Sequence, residues 1–141
     1  MIVIDAIREA NGHDLSRRRI ALTHDQKVGK ISKANAEHYK WGGQCDGWHL
    51  VKGQELSVIH ERMPGNTAEV RHYHERSRQF FFVLSGVAVL EVAGVRHELF
   101  AQEGVEVPPG VAHQMKNEGA ADVEFLVISQ PTTRGDRIHV E

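Results

Sequence analysis

From residue 56 to residue 129 turn residues divide the chain into short runs rich in β-branched and aromatic side chains, the pattern of consecutive strands in an all-β fold. Leu56-Ser57-Val58-Ile59 begins the first run, and Met63-Pro64-Gly65-Asn66 ends it with turn chemistry. A second run covers 69–74, and a third covers 78–84 with Phe80, Phe81, Phe82 and Val83 in succession. Ser85-Gly86 breaks the third run, 87–92 continues, and Ala93-Gly94 reads as a hairpin turn before 95–100. Runs at 105–108, 112–117 and 123–129 complete the set. Short strands in this succession predict an antiparallel sandwich or barrel built mainly from residues 55 to 130.

Side-chain alternation along a strand assigns faces to these residues. His72 and His74 share one face, predicted to be inside with Val70, and Arg71 and Tyr73 share the other. Gln79, Phe81 and Val83 lie on one face, and Phe80, Phe82 and Leu84 on the opposite one. Both faces of that run are apolar beyond Gln79, which predicts a strand covered on both sides. His113, Met115 and Asn117 share a face, placing Met115 beside His113 in the cavity and Lys116 outside. Imidazole nitrogens are common ligands of divalent metals, and three converging ones can hold an ion with positions left open for chemistry.

His72-Tyr73-His74, a four-residue spacer, Gln79 and Gly86, followed by Pro108, Gly110, His113 and Asn117, resemble the two sequence motifs of the cupin superfamily. Three positions depart from the motifs. Gly65 stands one residue early, Gln102 replaces the leading glycine of the second motif with Gly104 nearby, and Gln79 replaces a glutamate. The resemblance implies an antiparallel jelly-roll (cupin) β-barrel with an N-terminal extension. It divides the chain into residues 1–50, packed on or near the barrel, and residues 51–141, the barrel with a C-terminal tail. It also implies a divalent transition metal (Ni, Zn, Cu, Fe or Mn) held by His72, His74, Gln79 and His113. Because glutamine supplies a dipole and no charge, such a site stays at +2 with a divalent ion, which penalises Mn²⁺ most and Ni²⁺, Cu²⁺ and Zn²⁺ least. Glu75 follows His74 directly, and strand parity turns it away from the ion.

Cupins include dioxygenases, isomerases, epimerases, decarboxylases, seed-storage proteins and ligand-sensing domains, so fold resemblance alone does not choose among them. A metal-dependent enzyme of dioxygenase or isomerase type, acting on a small polar or anionic metabolite, is the leading expectation. A non-catalytic module binding a small ligand or sugar is the alternative, kept open by Gln79 and by the lack of an identifiable general acid or base. A purely structural or partner-binding barrel is the third. Glu61, Tyr73 and His60 are the candidate proton carriers, and no catalytic residue is assigned. The resemblance further implies a homodimer.

The rest of the chain mainly excludes. At 141 residues and 40% hydrophobic there is material for one sizeable core. A formal net charge of −2 gives no electrostatic case for nucleic acid or an anionic membrane, and Arg17-Arg18-Arg19 reads as a solvated patch. No apolar stretch approaches the roughly 20 residues of a membrane span, and the acidic and basic residues Asp5, Arg8 and Glu9 interrupt any signal-peptide core. Cys45 is the single cysteine, which fits a reducing compartment and a cytoplasmic location and offers no supported nucleophile. His13, His24, His38, His49, His60, His97 and His139 have no pattern behind them. Val3, Ala6, Ile7 and Ala10 follow a helical period stopped by Asn11-Gly12, with an N-terminal strand as the weaker alternative. Trp41 and Trp48 are expected to close one end of the core, and Arg134-Gly135-Asp136 to form a terminal turn.

Overall fold

A computed structural model of the chain describes residues 2–3, 19–20 and 28–141, in two compact units of residues 1–30 and 31–141. In the first unit β1 (Ile2–Val3) pairs antiparallel with β2 (Arg19–Ile20). Of the predicted helix, Val3 lies in β1 opposite Arg19, and Ala6, Ile7 and Ala10 fall outside the described residues, as do Arg17 and Arg18.

The second unit is an antiparallel jelly roll. One six-stranded sheet runs β11 (Gly104–Val107), β8 (Arg78–Ser85), β13 (Val123–Gln130), β5 (Ser57–Met63), β4 (Cys45–Lys52) and β3 (Glu37–Trp41). The other runs β10 (Val95–Leu99), β9 (Ala88–Val92), β12 (His113–Asn117), β7 (His72–Tyr73) and β14 (Ile138–His139), with β6 (Thr67–Ala68) also on β12. No helix among the described residues is long and apolar enough to cross a membrane.

The inward faces follow the alternation of each strand. Phe81 and Val83 of β8, Phe125 and Val127 of β13, Met115 of β12 and Leu90 of β9 form the buried core. Each of the larger side chains adds about 1.5 to 3 kcal/mol by leaving water. Residues 37–52, of which 37–50 are predicted to belong to the extension, form the last two strands at one edge of the first sheet, with Trp41 opposite Cys45 across a short hairpin. Polar Glu37 and His49 share the inward face with Cys45 while Trp48 stands on the outward one, which hides the period-2 pattern. Trp41 packs on the core as expected, whereas Trp48 lies against His38 and edge-on to His60.

Two parity expectations are overturned. Val70 is 53% exposed, because it lies between β6, which ends at Ala68, and β7, which begins at His72, where strand alternation does not apply. The Glu69 side chain, not a backbone carbonyl, accepts the Met115 N–H at 2.9 Å. The outer face of β8 is also open, with Phe80 38% exposed and stacked on Phe82. Phe82 and Leu84 on the same face are partly buried.

Gly86, in register with the first cupin motif, is held there by geometry. Its φ is +81°, and a Cβ would lie 2.4 Å from the carbonyl oxygen of Asp122. Gly86→Ala should therefore cost about 2 to 4 kcal/mol, read from the shift of the denaturation midpoint at unchanged slope.

Candidate metal centre

β12 and β7 run side by side with His113 and His72 as direct partners. His74 follows two residues after His72, so all three imidazoles project from the same face into the barrel. All are buried, and their ring centroids are 4.5 Å (His72–His113), 4.8 Å (His72–His74) and 5.5 Å (His74–His113) apart. One ring nitrogen from each lies within 4.8 Å of the others, and Phe81 closes the site edge-on against His113.

The second ring nitrogen of each histidine is tied to the main chain. His72 Nδ1 bonds the carbonyl of Val70 at 2.7 Å, His113 Nδ1 that of Val111 at 3.0 Å, and His74 Nδ1 that of Asp136. A carbonyl can only accept, so each Nδ1 carries the proton and each Nε2 keeps its lone pair. Burial lowers the pKa of all three, to about 3 for His72 and about 4 for His113, against the opposing pull of these carbonyl bonds. The rings are therefore neutral near pH 7. His74 Nε2, His113 Nε2 and the Oε1 of Gln79 are buried without a hydrogen-bond partner. Buried polar atoms are rarely left so. Unprotonated imidazole lone pairs with orphaned acceptors fit a cation, and the three histidines could hold a metal ion.

Gln79 adjoins this set. Its Nε2 donates to Ser129 Oγ at 3.1 Å, directly across the β8–β13 pair, which turns Oε1 the other way. Glu75 is exposed, in keeping with its parity.

Asp136 supports the site, and the sequence presents it only as part of a turn. Its buried carboxylate accepts the backbone N–H groups of Glu75 at 2.8 Å and of Arg76 and Ser77 at 3.0 Å each, while its own carbonyl orients His74. No spacing rule connects residues so far apart in the chain. A carboxylate after a glycine turn is common and has no distinguishing signal.

Of the candidate proton carriers, only Glu61 points inward. His60 faces outward and bonds Glu124 at 2.8 Å, and Tyr73 has the opposite parity from His72. Gly47 makes room for Tyr39: a Cβ there would fall 2.3 Å from the Tyr39 ring, which crosses the strand so that its hydroxyl donates to Glu61 at 3.4 Å. Some surface of Glu61 and Glu69 remains accessible, yet both carboxyls are closely ringed by protein. Burial, then the charge of Glu69, pushes Glu61 up to about 8, against the Tyr39 bond and the charge of Arg137. Burial raises Glu69 to about 7, opposed by its Met115 bond and by Arg137.

A carboxyl that keeps its proton longer when folded stabilises the fold at low pH, and that contribution is lost as pH rises from the unfolded value of about 4.3 through the folded one. Between pH 5 and pH 9 the melting temperature of metal-free Glu61→Gln should therefore fall less than that of the parent. Parallel curves would show that Glu61 ionises as it does in water.

Residues 58–129, just over half of the chain, match the cupin domain family, and the chain belongs to it. An uncharacterized protein of Methanocaldococcus jannaschii is 22% identical over 83 residues, 59% of this chain and 66% of that protein. The match thus spans just under two thirds of that relative's length. Among solved structures, KdgF from Halomonas sp. superposes with a TM-score of 0.69 at 14% identity, over 75% of this chain and 96% of its own. A sugar phosphate isomerase of the cupin superfamily from Silicibacter pomeroyi superposes with a TM-score of 0.63 at 22% identity, over 74% of this chain and 76% of its own. Both likenesses are of fold.

Proposed function

We propose that the chain binds a divalent transition metal through His72, His74, His113 and Gln79. On this reading it is a metal-dependent enzyme of dioxygenase or isomerase type, acting on a small polar or anionic metabolite. The observation that carries this is the convergence of three buried, Nδ1-protonated imidazoles beside an orphaned glutamine oxygen. The likeness to a sugar phosphate isomerase supports the substrate class at the level of fold. When bound, such an ion supplies Lewis acidity to a coordinated substrate oxygen. The chain's own residues orient the imidazoles, keep them unprotonated and exclude water with Phe81, and Glu61, hydrogen-bonded to Tyr39, is the inward group able to hold or release a proton.

Neutral Gln79 favours Ni²⁺, Cu²⁺ or Zn²⁺ over Mn²⁺, and leaves a positive centre suited to an anionic ligand. Elemental analysis of protein from a metal-replete host, then a metabolite screen of the loaded form, tests the reading. Near-stoichiometric metal with turnover supports it, and no metal under any loading condition defeats it. Metal with binding but no turnover would favour a non-catalytic small-ligand or sugar-binding module, the reading that Gln79 keeps open.

Gln79→Glu should tighten metal binding and broaden the range of ions accepted, since the site charge falls from +2 to +1. Thermal unfolding with Ni²⁺, Zn²⁺, Mn²⁺ and Fe²⁺ checks this. In a barrel that does not use metal, the new carboxylate would be buried unpaired and no ion would rescue the loss of stability.

The chain is further proposed to act as a homodimer, supported by the exposed Phe80 on the outer face of β8, and to work in the cytoplasm, supported by its single buried, unpaired cysteine. Light scattering should give twice the monomer mass.

A further inference from the structure

A chamber of about 850 Å³ opens in the barrel unit between β3, β4, β5 and the turn at 131–134. Tyr39, His49 and Ser57 line it, and three cations, Lys52, Arg76 and Arg134, ring it. Among the described residues no carboxylate lines the chamber. Glu37 pairs with Lys52 at 2.5 Å, and Asp136 lies 3.9 Å from the Arg76 guanidinium. Arg134 has no ion pair among the described residues, so the rim carries one unbalanced positive charge. His49 contributes a buried Nδ1 without a partner.

Chain segments that line the chamber continue into those that hold the histidine site, and no imidazole of that site lines the chamber. Arg76 stands two residues beyond His74, and the turn carrying Arg134 runs into Asp136, whose carbonyl holds His74. Ser57 pairs with Ser129, the hydroxyl that holds Gln79. A ligand in the chamber therefore meets a guanidinium that has no ion-pair partner among the described residues. A partly enclosed volume with unbalanced positive charge favours an anion, and a guanidinium fork matches the paired oxygens of carboxylate and phosphate.

We propose that this chamber binds a small organic anion, its carboxylate or phosphoryl group gripped by Arg134 and Arg76. The proposal does not depend on the metal reading above. The chamber lies within the usual size range of small-molecule sites, so the ligand is a compact metabolite and not a polymer.

Calorimetric titration of malonate, inorganic phosphate and glycerol into chelator-treated and into Zn²⁺-loaded protein tests this. Malonate or phosphate should bind saturably in both forms and glycerol should not, and the tighter anion identifies the group recognised. Arg134→Gln should weaken the anion at least about tenfold, the loss of one charged hydrogen-bonding partner, with metal content unchanged. Arg96→Gln, whose arginine pairs with Glu118 on the surface, should bind like the parent. Absence of saturable anion binding, or equal affinity in Arg134→Gln and the parent, overturns the proposal. Anion binding seen only with Zn²⁺ and indifferent to Arg134 makes the anion a metal ligand, so this proposal fails while the metal reading stands. Arg134-dependent binding in a protein that takes up no metal has the opposite meaning.

Discussion

His113→Ala should yield a folded protein that no longer holds stoichiometric metal, with affinity lowered by more than about a hundredfold. Losing a group that merely orients a ligand costs 10- to 100-fold, and His113 is proposed as a ligand itself. Its Nε2 is buried without a partner, so the metal-free protein loses no hydrogen bond there except the one from Nδ1 to Val111. The stabilisation that metal confers on the parent should vanish in the variant; at a thousandfold excess over the dissociation constant it amounts to about 4 kcal/mol. His74→Ala should behave alike. Metal content unchanged in either variant, by elemental analysis, would remove the site.

Asp136→Ala should act on stability and metal together. The carboxylate is the common acceptor for three consecutive backbone N–H groups, and Ser77 among them is buried. Deleting it strands at least the Ser77 donor, while those of the exposed residues Glu75 and Arg76 recover water. The expected loss is about 2 to 4 kcal/mol by denaturant unfolding. The segment that follows His74 loosens, and the carbonyl that orients His74 shifts with it, so metal affinity should fall about 10- to 100-fold as well. Asp136→Asn keeps the shape and one acceptor oxygen and should lie between the two. A variant that unfolds like the parent would show that Asp136 is incidental to the fold. Full destabilisation with parental metal affinity would separate the clamp from the ligand.

The histidine set was legible because strand geometry is local. Alternation puts His72 beside His74 and aligns His113 with Met115 and Asn117, and the cupin-like spacing around Gly86 and Gly110 tied the two windows together. Gly86 shows why such a residue is readable at all: positive φ and a carbonyl 2.4 Å from any Cβ admit little else. The same alternation failed at Val70, which lies in the gap between β6 and β7, where the Glu69 side chain takes the Met115 N–H. It failed at Phe80 for a different reason: parity says which residues share a face, and what covers that face is a question of tertiary or quaternary packing.

The sequence by itself determined the all-β antiparallel architecture, the inward direction of the three histidines and the departure at Gln79. Each depends on repeats of two residues or on short spacings that the backbone turns directly into geometry. The tertiary structure alone decided that residues 37–52 join the sheet and that Glu61 faces inward while His60 does not. It alone decided that Asp136 reaches back to hold 75–77, and that Lys52, Arg76 and Arg134 meet around one chamber. Those arrangements bring together residues that lie dozens of positions apart, and no local periodicity records such encounters.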